Sequence, residues 1–166
     1  MIVKSCFLLT LLFNFVITEI QIGSRLKWEY EVIHFAHSNL EVARVMCQEP
    51  YRSELFLCKE ESGEYYLRLF GVQTATAHEF QYVNLQIDGT NESWNYELAM
   101  ICIEDETDHD NNYLYAEMSN KKGDTRLEMI DAMKKGKSLT IRIAKLGVEV
   151  SFTLSGSTAA FSKLGF

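Results

Sequence analysis

Two stretches of sequence decide the fold: Leu139-Thr140-Ile141-Arg142-Ile143 and, shortly after it, Val148-Glu149-Val150-Ser151-Phe152-Thr153-Leu154. Every second residue is apolar and the residues between are polar, which is the period of a β-strand with one buried face. Lys145-Leu146-Gly147 separates the two runs and suits a hairpin turn. The sequence therefore predicts two antiparallel strands here.

The same alternation marks seven more segments of the chain: residues 28–35, 40–47, 55–59, 65–70, 80–87, 94–103 and 113–118. Helical segments do not alternate with these strands, so a parallel α/β architecture is disfavoured. The sequence predicts a mainly β protein, an antiparallel β-sandwich or barrel of about eight strands with one or two short helices near the C-terminus.

The first helix is predicted between Thr125 and Gly136, because Thr125 and Glu128 can form a capping box and Gly136 can supply a left-handed helix end. Its apolar stripe is Leu127, Ile130 and Met133, with Met129 beside it. The second helix is predicted from Thr158 to Leu164, with Ser157 as its cap and Gly165 as its stop. Its packing residues are expected to be Ala159, Ala160, Phe161 and Leu164.

Residues 1–18 have the pattern of a secretory signal peptide. Lys4 precedes a short apolar run, Cys6 to Ile17, and the chain turns polar at Thr18-Glu19. A membrane span needs about 20 apolar residues, so cleavage between Thr18 and Ser24 is favoured over an uncleaved anchor. Residues 19–166 are then one β-rich domain, periplasmic or secreted, with no membrane insertion after cleavage.

The charge of the chain is acidic. The formal net charge of the full chain is −7, and losing Lys4 with the leader makes it −8. Binding to nucleic acid or anionic lipid needs a basic patch, so neither is expected as a partner. The acidic charge keeps the protein soluble and also suits a basic partner.

Three cysteines follow the leader, and they allow three pairings in an oxidising compartment. Cys47 and Cys58 flank a polar segment that contains the only proline, Pro50, so a disulfide between them is predicted. Cys102 lies in an apolar run, where a thiol most often behaves as a small buried side chain. A reactive or intermolecular Cys102 is the alternative.

The sequence contains no motif of a zinc protease, a thioredoxin-like protein or a nucleophile-elbow hydrolase. His34 and His37 are three residues apart, which on a strand sends them to opposite faces and makes them a poor metal pair. We therefore expect no enzymatic activity, no metal and no cofactor. A hydrolase with catalytic residues dispersed along the chain stays an alternative.

An acidic run from Glu104 to Asn112 is the densest polar segment. Asp108, Asp110 and Asn112 alternate as the first ligands of a calcium loop do, but Tyr113 and Ser119 occupy the positions that need Gly and Glu. A solvated loop is the simpler interpretation. The candidate binding residues of this loop are Glu104, Asp105, Asp108 and Asp110, and those of a second acidic turn, residues 60–65, are Ser62 and Tyr65.

Aromatic residues are frequent and often alternate along the predicted strands. Such rings either fill a β-sheet core or form an exposed stacking face for sugars or peptides. The core interpretation is favoured for the set: Tyr65, Tyr66, Tyr82, Trp94, Tyr96, Tyr113 and Tyr115.

The C-terminal third combines a short helix (residues 129–137), two strands and the ending Phe152-Thr153-Leu154-Ser155-Gly156-Ser157-Thr158-Ala159-Ala160-Phe161-Ser162-Lys163-Leu164. This order resembles the invasion-associated locus B family of exported bacterial proteins, over about forty residues. The resemblance implies a periplasmic or secreted β-sandwich without established enzymatic activity.

These observations favour an exported accessory protein that binds a protein partner through an exposed sheet face or its loops, in adhesion or host interaction. The alternative is an inhibitor or immunity protein that blocks an exported enzyme with an acidic loop.

Overall fold

A computed structural model describes residues 27–34, 38–47, 53–72, 78–104 and 112–166. The predicted leader and the predicted cleavage site lie outside these residues. The described residues form nine β-strands, two α-helices and one short 3₁₀ turn, so the mainly β prediction is confirmed. The elements are β1 Glu29–His34, β2 Asn39–Met46, β3 Glu54–Glu60, β4 Tyr65–Phe70, β5 Phe80–Asp88, β6 Ser93–Ile103, β7 Tyr113–Met118, α1 Thr125–Lys135, β8 Ser138–Ile143, the 3₁₀ turn Ala144–Leu146, β9 Val148–Thr153 and α2 Ser157–Leu164.

All nine strands join one antiparallel sheet in the order β1-β2-β3-β4-β7-β6-β5-β8-β9. The first four strands form a meander, and β7 returns to pair with β4. The predicted hairpin of β8 and β9 extends the sheet beyond β5. The sheet is open, with β1 and β9 at its two edges.

The two edges nevertheless meet at Trp28. Its backbone N–H donates to the carbonyl oxygen of Ser155 at 2.8 Å, and its indole Nε1 donates to the carbonyl oxygen of Thr153 at 3.0 Å. The ring packs edge-on against Phe161 of α2 with 4.7 Å between centroids. The sheet therefore curls around one interior, and the chain entering β1 is bonded to the chain leaving β9.

We call the side of the sheet that faces this interior the inner face. Alternate residues of every strand point to it, and both helices pack against it. The largest fully buried side chains on this face are apolar: Phe152, Leu55, Leu57, Leu67, Leu69, Leu85, Ile87, Met100 and Leu114. Their removal from water is the main stabilising contribution to such a fold.

Helix α1 lies where it was predicted and ends at Gly136 as predicted, but its predicted N-cap and the predicted conformation of Gly136 are wrong. The N-cap is Asp124, whose carboxylate accepts from the Arg126 backbone N–H at 2.9 Å, so Thr125 is the first helical residue. This carboxylate also pairs with the Arg126 guanidinium, and the two interactions lower the pKa of Asp124. Gly136 is extended and not left-handed; a Cβ there would lie 2.6 Å from Ile87 and 2.7 Å from Leu154. Close packing on the sheet therefore explains this glycine.

Helix α2 ends at Gly165 as predicted, in the left-handed conformation. Its N-cap is Gly156 and not Ser157, because the Ser157 hydroxyl is buried and donates to the carbonyl oxygen of Met133 at 3.0 Å. Of the four residues predicted to pack, Ala159 is exposed, while Ala160, Phe161 and Leu164 are buried. The Ser157 bond ties α2 to the C-terminal end of α1, where carbonyl groups lack helical partners.

The predicted Cys47–Cys58 disulfide is wrong, since no disulfide joins these residues. Cys58 lies opposite Val42 on β2, and Cys47 is five residues further along, a separation of about 16 Å. Their side chains also point to opposite faces of the sheet. A disulfide needs Cα atoms within about 7 Å, so this register excludes the bond. Cys102 is fully buried in the core, as predicted.

Gly156 is the position where we expect an added methyl group to be most harmful. Its φ of +84° disfavours any side chain, and a Cβ would lie 2.7 Å from the carbonyl oxygen of Trp28. Gly147 is a matched control, because its φ is +63° and nothing lies within 4 Å. We expect Gly147→Ala to lower the free energy of unfolding by about 1 kcal/mol and Gly156→Ala by at least about 2 kcal/mol. Urea denaturation measures both, and equal losses would contradict the described contact.

Gln81 is buried on the inner face of β5, and neither of its amide atoms has a hydrogen-bond partner among the described residues. Burying an unsatisfied polar group costs about 1–3 kcal/mol. We therefore expect Gln81→Leu to raise the free energy of unfolding by about 1 kcal/mol. On the same strand, the amide of Gln86 bonds to Asp88 and Arg142, so Gln86→Leu should give no gain. Destabilisation by Gln81→Leu, measured by urea denaturation, would contradict this account.

Candidate binding surface on the outer face of the sheet

The two candidate residues of the acidic turn differ in accessibility. Ser62 is exposed between β3 and β4, and its hydroxyl donates to the Glu64 carboxylate at 3.1 Å. Tyr65 is buried; its hydroxyl donates to the carbonyl oxygen of Leu164 at 3.0 Å, and its ring packs on Phe166 with 4.5 Å between centroids. Tyr65 therefore holds the C-terminus against the sheet, which gives it a structural role, and its role in binding stays a prediction.

The second candidate loop is largely outside the described residues. Asp105, Asp108 and Asp110 are not described, and Glu104 is exposed just after β6. Tyr65 pairs with Met118, whereas Ile103 pairs with Tyr113 at the other end of β7. Met118 and Tyr113, the two β7 residues of these pairs, are five residues apart along the strand, a distance of about 17 Å. The structure therefore places Ser62 and Glu104 at opposite ends of the sheet, and they do not form one site.

A different surface stands out on the side of the sheet that faces away from the interior, which we call the outer face. Side chains of six adjacent strands line up there in one row across the sheet. The register gives this row as Arg44, Phe56, Arg68, Tyr115, Ile101 and Phe80. With neighbouring strands about 4.8 Å apart, the row is about 24 Å wide.

On the β3-β4-β7 part of the outer face, aromatic rings pack against one another. We call this set, Phe56, Tyr66, Phe70, Tyr113 and Tyr115, the aromatic band. Ring centroids are 5.0 Å apart for Phe56 and Phe70, 4.8 Å for Phe70 and Tyr113, and 4.9 Å for Tyr66 and Tyr115. Aromatic pairs at such distances contribute about 0.5–1.5 kcal/mol beyond their burial. The band therefore stabilises the sheet from outside.

Two arginines complete the band by stacking on its rings. The guanidinium carbon of Arg44 lies 6.0 Å from the Phe56 centroid, and that of Arg68 lies 5.7 Å from the Tyr113 centroid. Each guanidinium is also paired with a carboxylate, Arg44 with Glu31 at 2.6 Å and Arg68 with Glu60 at 3.5 Å. Cation–π stacking and ion pairing thus act on the same arginines.

Two tyrosine hydroxyls of the band, those of Tyr66 and Tyr115, stay protonated at neutral pH. The Tyr66 hydroxyl donates to the Glu64 carboxylate at 2.7 Å, and this bond together with burial raises the pKa of Tyr66. Burial is the main cause that raises the pKa of Tyr115. Neither hydroxyl is therefore suited to act as a base.

Beside the band, the outer face of β5 and β6 carries an exposed patch, which we define as Phe80, Tyr82, Ala99 and Ile101. Phe80 pairs with Ile101 and Tyr82 with Ala99. Phe80 is 63% exposed and Tyr82 is 67% exposed. In the described part of the chain, the only other large apolar side chain classed as exposed is Val32, at 38%. The two most exposed rings are thus neighbours on one strand.

Among the described residues, no group of three or more His, Cys, Asp or Glu side chains could hold a metal ion. The Nδ1 atom of His34 is engaged with the Asn39 side chain at 2.7 Å. Burial raises the pKa of the Cys47 thiol, and it raises the pKa of the Cys58 thiol to about 11. Thiols held in the protonated form are poor nucleophiles.

One sequence signal could have found the exposed patch. The run Val83-Asn84-Leu85-Gln86-Ile87 fixes which residues of β5 point inward, because its apolar residues are odd-numbered. The same alternation extended backwards places Phe80 and Tyr82 on the outer face. Sequence reasoning missed Tyr82 because it assigned the aromatic set of the strands to the core, and that set did not include Phe80. It was correct for Tyr65, Trp94 and Tyr96, which pack against the core.

No protein family, curated protein or solved structure matches this chain. The resemblance to the invasion-associated locus B family therefore stays a prediction. No helix in the residues that the structure describes is long and apolar enough to cross a membrane.

The exposed patch should be dispensable for folding. We expect Phe80→Thr and Tyr82→Thr each to change the free energy of unfolding by about 0.5 kcal/mol or less, since exposed substitutions rarely do more. Phe70→Thr is the matched control; it removes a ring that contacts both Phe56 and Tyr113, and we expect a loss of about 1–2 kcal/mol. Thermal and urea denaturation measure the three variants. A loss at Tyr82 as large as that at Phe70 would show that the patch is structural.

Proposed function

We propose that this protein is an exported, non-enzymatic binding protein that contacts a protein partner through the exposed patch. The leader-like residues 1–18 support export to the periplasm or the exterior. The single observation that carries the binding role is the pair Phe80 and Tyr82, exposed side by side on the outer face. Contiguous exposed apolar surface of this kind marks interaction sites in soluble proteins.

The packing of the neighbouring rings supports this role. In the aromatic band, rings pack on rings and arginines, whereas both rings of the exposed patch are largely open to solvent. The strand alternation needs only a polar or β-branched side chain at positions 80 and 82. Folding therefore does not account for two large rings at these positions.

The size of the outer face suits a protein partner. A stable interface buries about 800 Å² on each side, with aromatic residues at its centre. The row across six strands is about 24 Å wide, enough for such a contact. The exposed patch lies at one end of the row, on β5 and β6.

The test places a photo-crosslinking amino acid at position 80 or at position 151 of the protein in its native host. Ser151 is a matched control, because it is exposed and lies on the outer face of the edge strand β9. We expect a discrete adduct with a second protein from position 80 and none from position 151. The adduct should be lost when Tyr82→Thr is added, because the neighbouring ring is part of the same contact.

Two results would overturn the proposal. Equal labelling from positions 80 and 151 would show that the patch has no special role. An adduct with the mass of two copies of this chain would show that the patch is a self-association surface.

A further inference from the structure

The outer face is acidic as well as aromatic. Its strand positions carry eight carboxylates and three arginines, a formal charge of −5. The carboxylates are Glu29, Glu31, Glu54, Glu60, Asp88, Glu97, Glu117 and Glu149, and the arginines are Arg44, Arg68 and Arg142. Each arginine is already paired with a carboxylate of the same face. The face therefore presents surplus negative charge to a partner.

One of these carboxylates flanks the exposed patch, and a second lies on the neighbouring strand β7. Glu97 lies opposite Asn84, which makes it the diagonal neighbour of Tyr82, within reach of one ligand side chain. Glu117 lies on β7, two positions beyond Tyr115. Both are exposed, and neither forms an ion pair within the described part of the chain. The Glu97 carboxylate thus lies beside the aromatic rings with no cation paired to it in the described residues, whereas the Glu117 carboxylate is also attracted by the Arg126 guanidinium.

Elsewhere on the same face, an aromatic ring beside a carboxylate contacts an arginine guanidinium. Arg44 and Arg68 each stack on an aromatic ring while a carboxylate pairs with the guanidinium. Phe80 and Tyr82 have carboxylates nearby, but among the described residues no cation lies over either ring. The exposed patch therefore repeats the arrangement of the aromatic band without the arginine.

We infer that the partner supplies this cation: an arginine side chain of a basic protein stacks on Tyr82 or Phe80 and pairs with Glu97 or Glu117. This inference rests on the proposed function and names the chemistry of its partner. Arginine fits better than lysine, because its planar guanidinium stacks on a ring and pairs with a carboxylate at the same time.

The negative charge of the outer face also disfavours two other ligands of the exposed patch. A second copy of this chain would bring two faces of formal charge −5 together, which disfavours self-association. An anionic ligand such as nucleic acid or phosphate would meet the same repulsion. A neutral sugar stacked on the rings is not opposed by charge, so it is included in the test.

The experiment measures binding of the purified protein to three short synthetic peptides by isothermal titration calorimetry. In the first peptide arginine alternates with threonine, in the second lysine replaces arginine, and in the third glutamine does. A neutral oligosaccharide is the fourth probe. We expect the arginine peptide to bind most tightly, the lysine peptide more weakly and the glutamine peptide not measurably. Raising the salt concentration about tenfold should weaken binding severalfold, because exposed charges are screened.

Variants then locate the site. We expect the double variant Glu97→Gln and Glu117→Gln to bind the arginine peptide about five- to tenfold more weakly, from two exposed ion pairs. The double variant Phe80→Thr and Tyr82→Thr should bind the arginine peptide more weakly by a similar factor, because it lacks the cation–π contacts. The double variant Glu29→Gln and Glu149→Gln removes the same charge from β1 and β9, at the two edges of the outer face, and it should bind almost normally.

The outcomes separate this inference from the proposed function. If the glutamine peptide or the sugar binds as tightly as the arginine peptide, the inference is wrong. Equal losses in the Glu97/Glu117 and Glu29/Glu149 variants would also overturn it, because net charge alone would then drive binding. A residue-specific adduct from position 80 together with no binding of the arginine peptide would leave the proposed function standing and refute the basic partner.

Discussion

The structure depends on one constraint, the alternation of side chains along every strand between an inner and an outer face. The inner set is apolar with few exceptions, such as Gln81, and forms a continuous core with the two helices. A shift of one residue in any strand would exchange the two sets, so the core fixes the register of the whole sheet. The register in turn fixes which residues reach the outer face, including Phe80 and Tyr82. The proposed binding surface is therefore a consequence of how the core is buried.

The outer face has two parts, which differ in how their aromatic rings are packed. On β3, β4 and β7 the rings pack against one another, and two arginines cover them, so this part contributes to stability. On β5 and β6 two rings are mostly exposed and have exposed carboxylates near them. Stability explains the first part and leaves the second without a role in the folded chain. This contrast is the basis of the proposed function.

Much of the fold could be predicted from the sequence because it depends on local periodicity. All nine strand segments lie where the alternation placed them, and α1 lies where its apolar stripe predicted it. The details that failed depend on contacts between distant residues. Gly136 is required by its closeness to Ile87 and Leu154, and Cys47 and Cys58 are separated by the register of β2 and β3. Neither contact can be read from neighbouring residues.

The candidate site was only partly predictable, for a related reason. The polar composition of two acidic loops predicted the binding residues there. The structure instead places Ser62 and Glu104, one from each loop, at opposite ends of the sheet. The exposed patch is formed by apolar residues, which composition alone assigns to the core. Only the phase of the alternation in β5 reveals that two of them point outward. A search of strands for aromatic residues out of phase with their neighbours would have found the patch.

Footprinting with a small photoactivated carbene tests the central claim most directly, by comparing the purified protein with the same protein in its native compartment. The account predicts that Phe80 and Tyr82 are labelled strongly in the purified protein and protected in the native compartment, while Thr140 and Ser151 on the same outer face are labelled equally in both. Equal labelling of Phe80 and Tyr82 in the two conditions would contradict the account, because the patch would then have no partner.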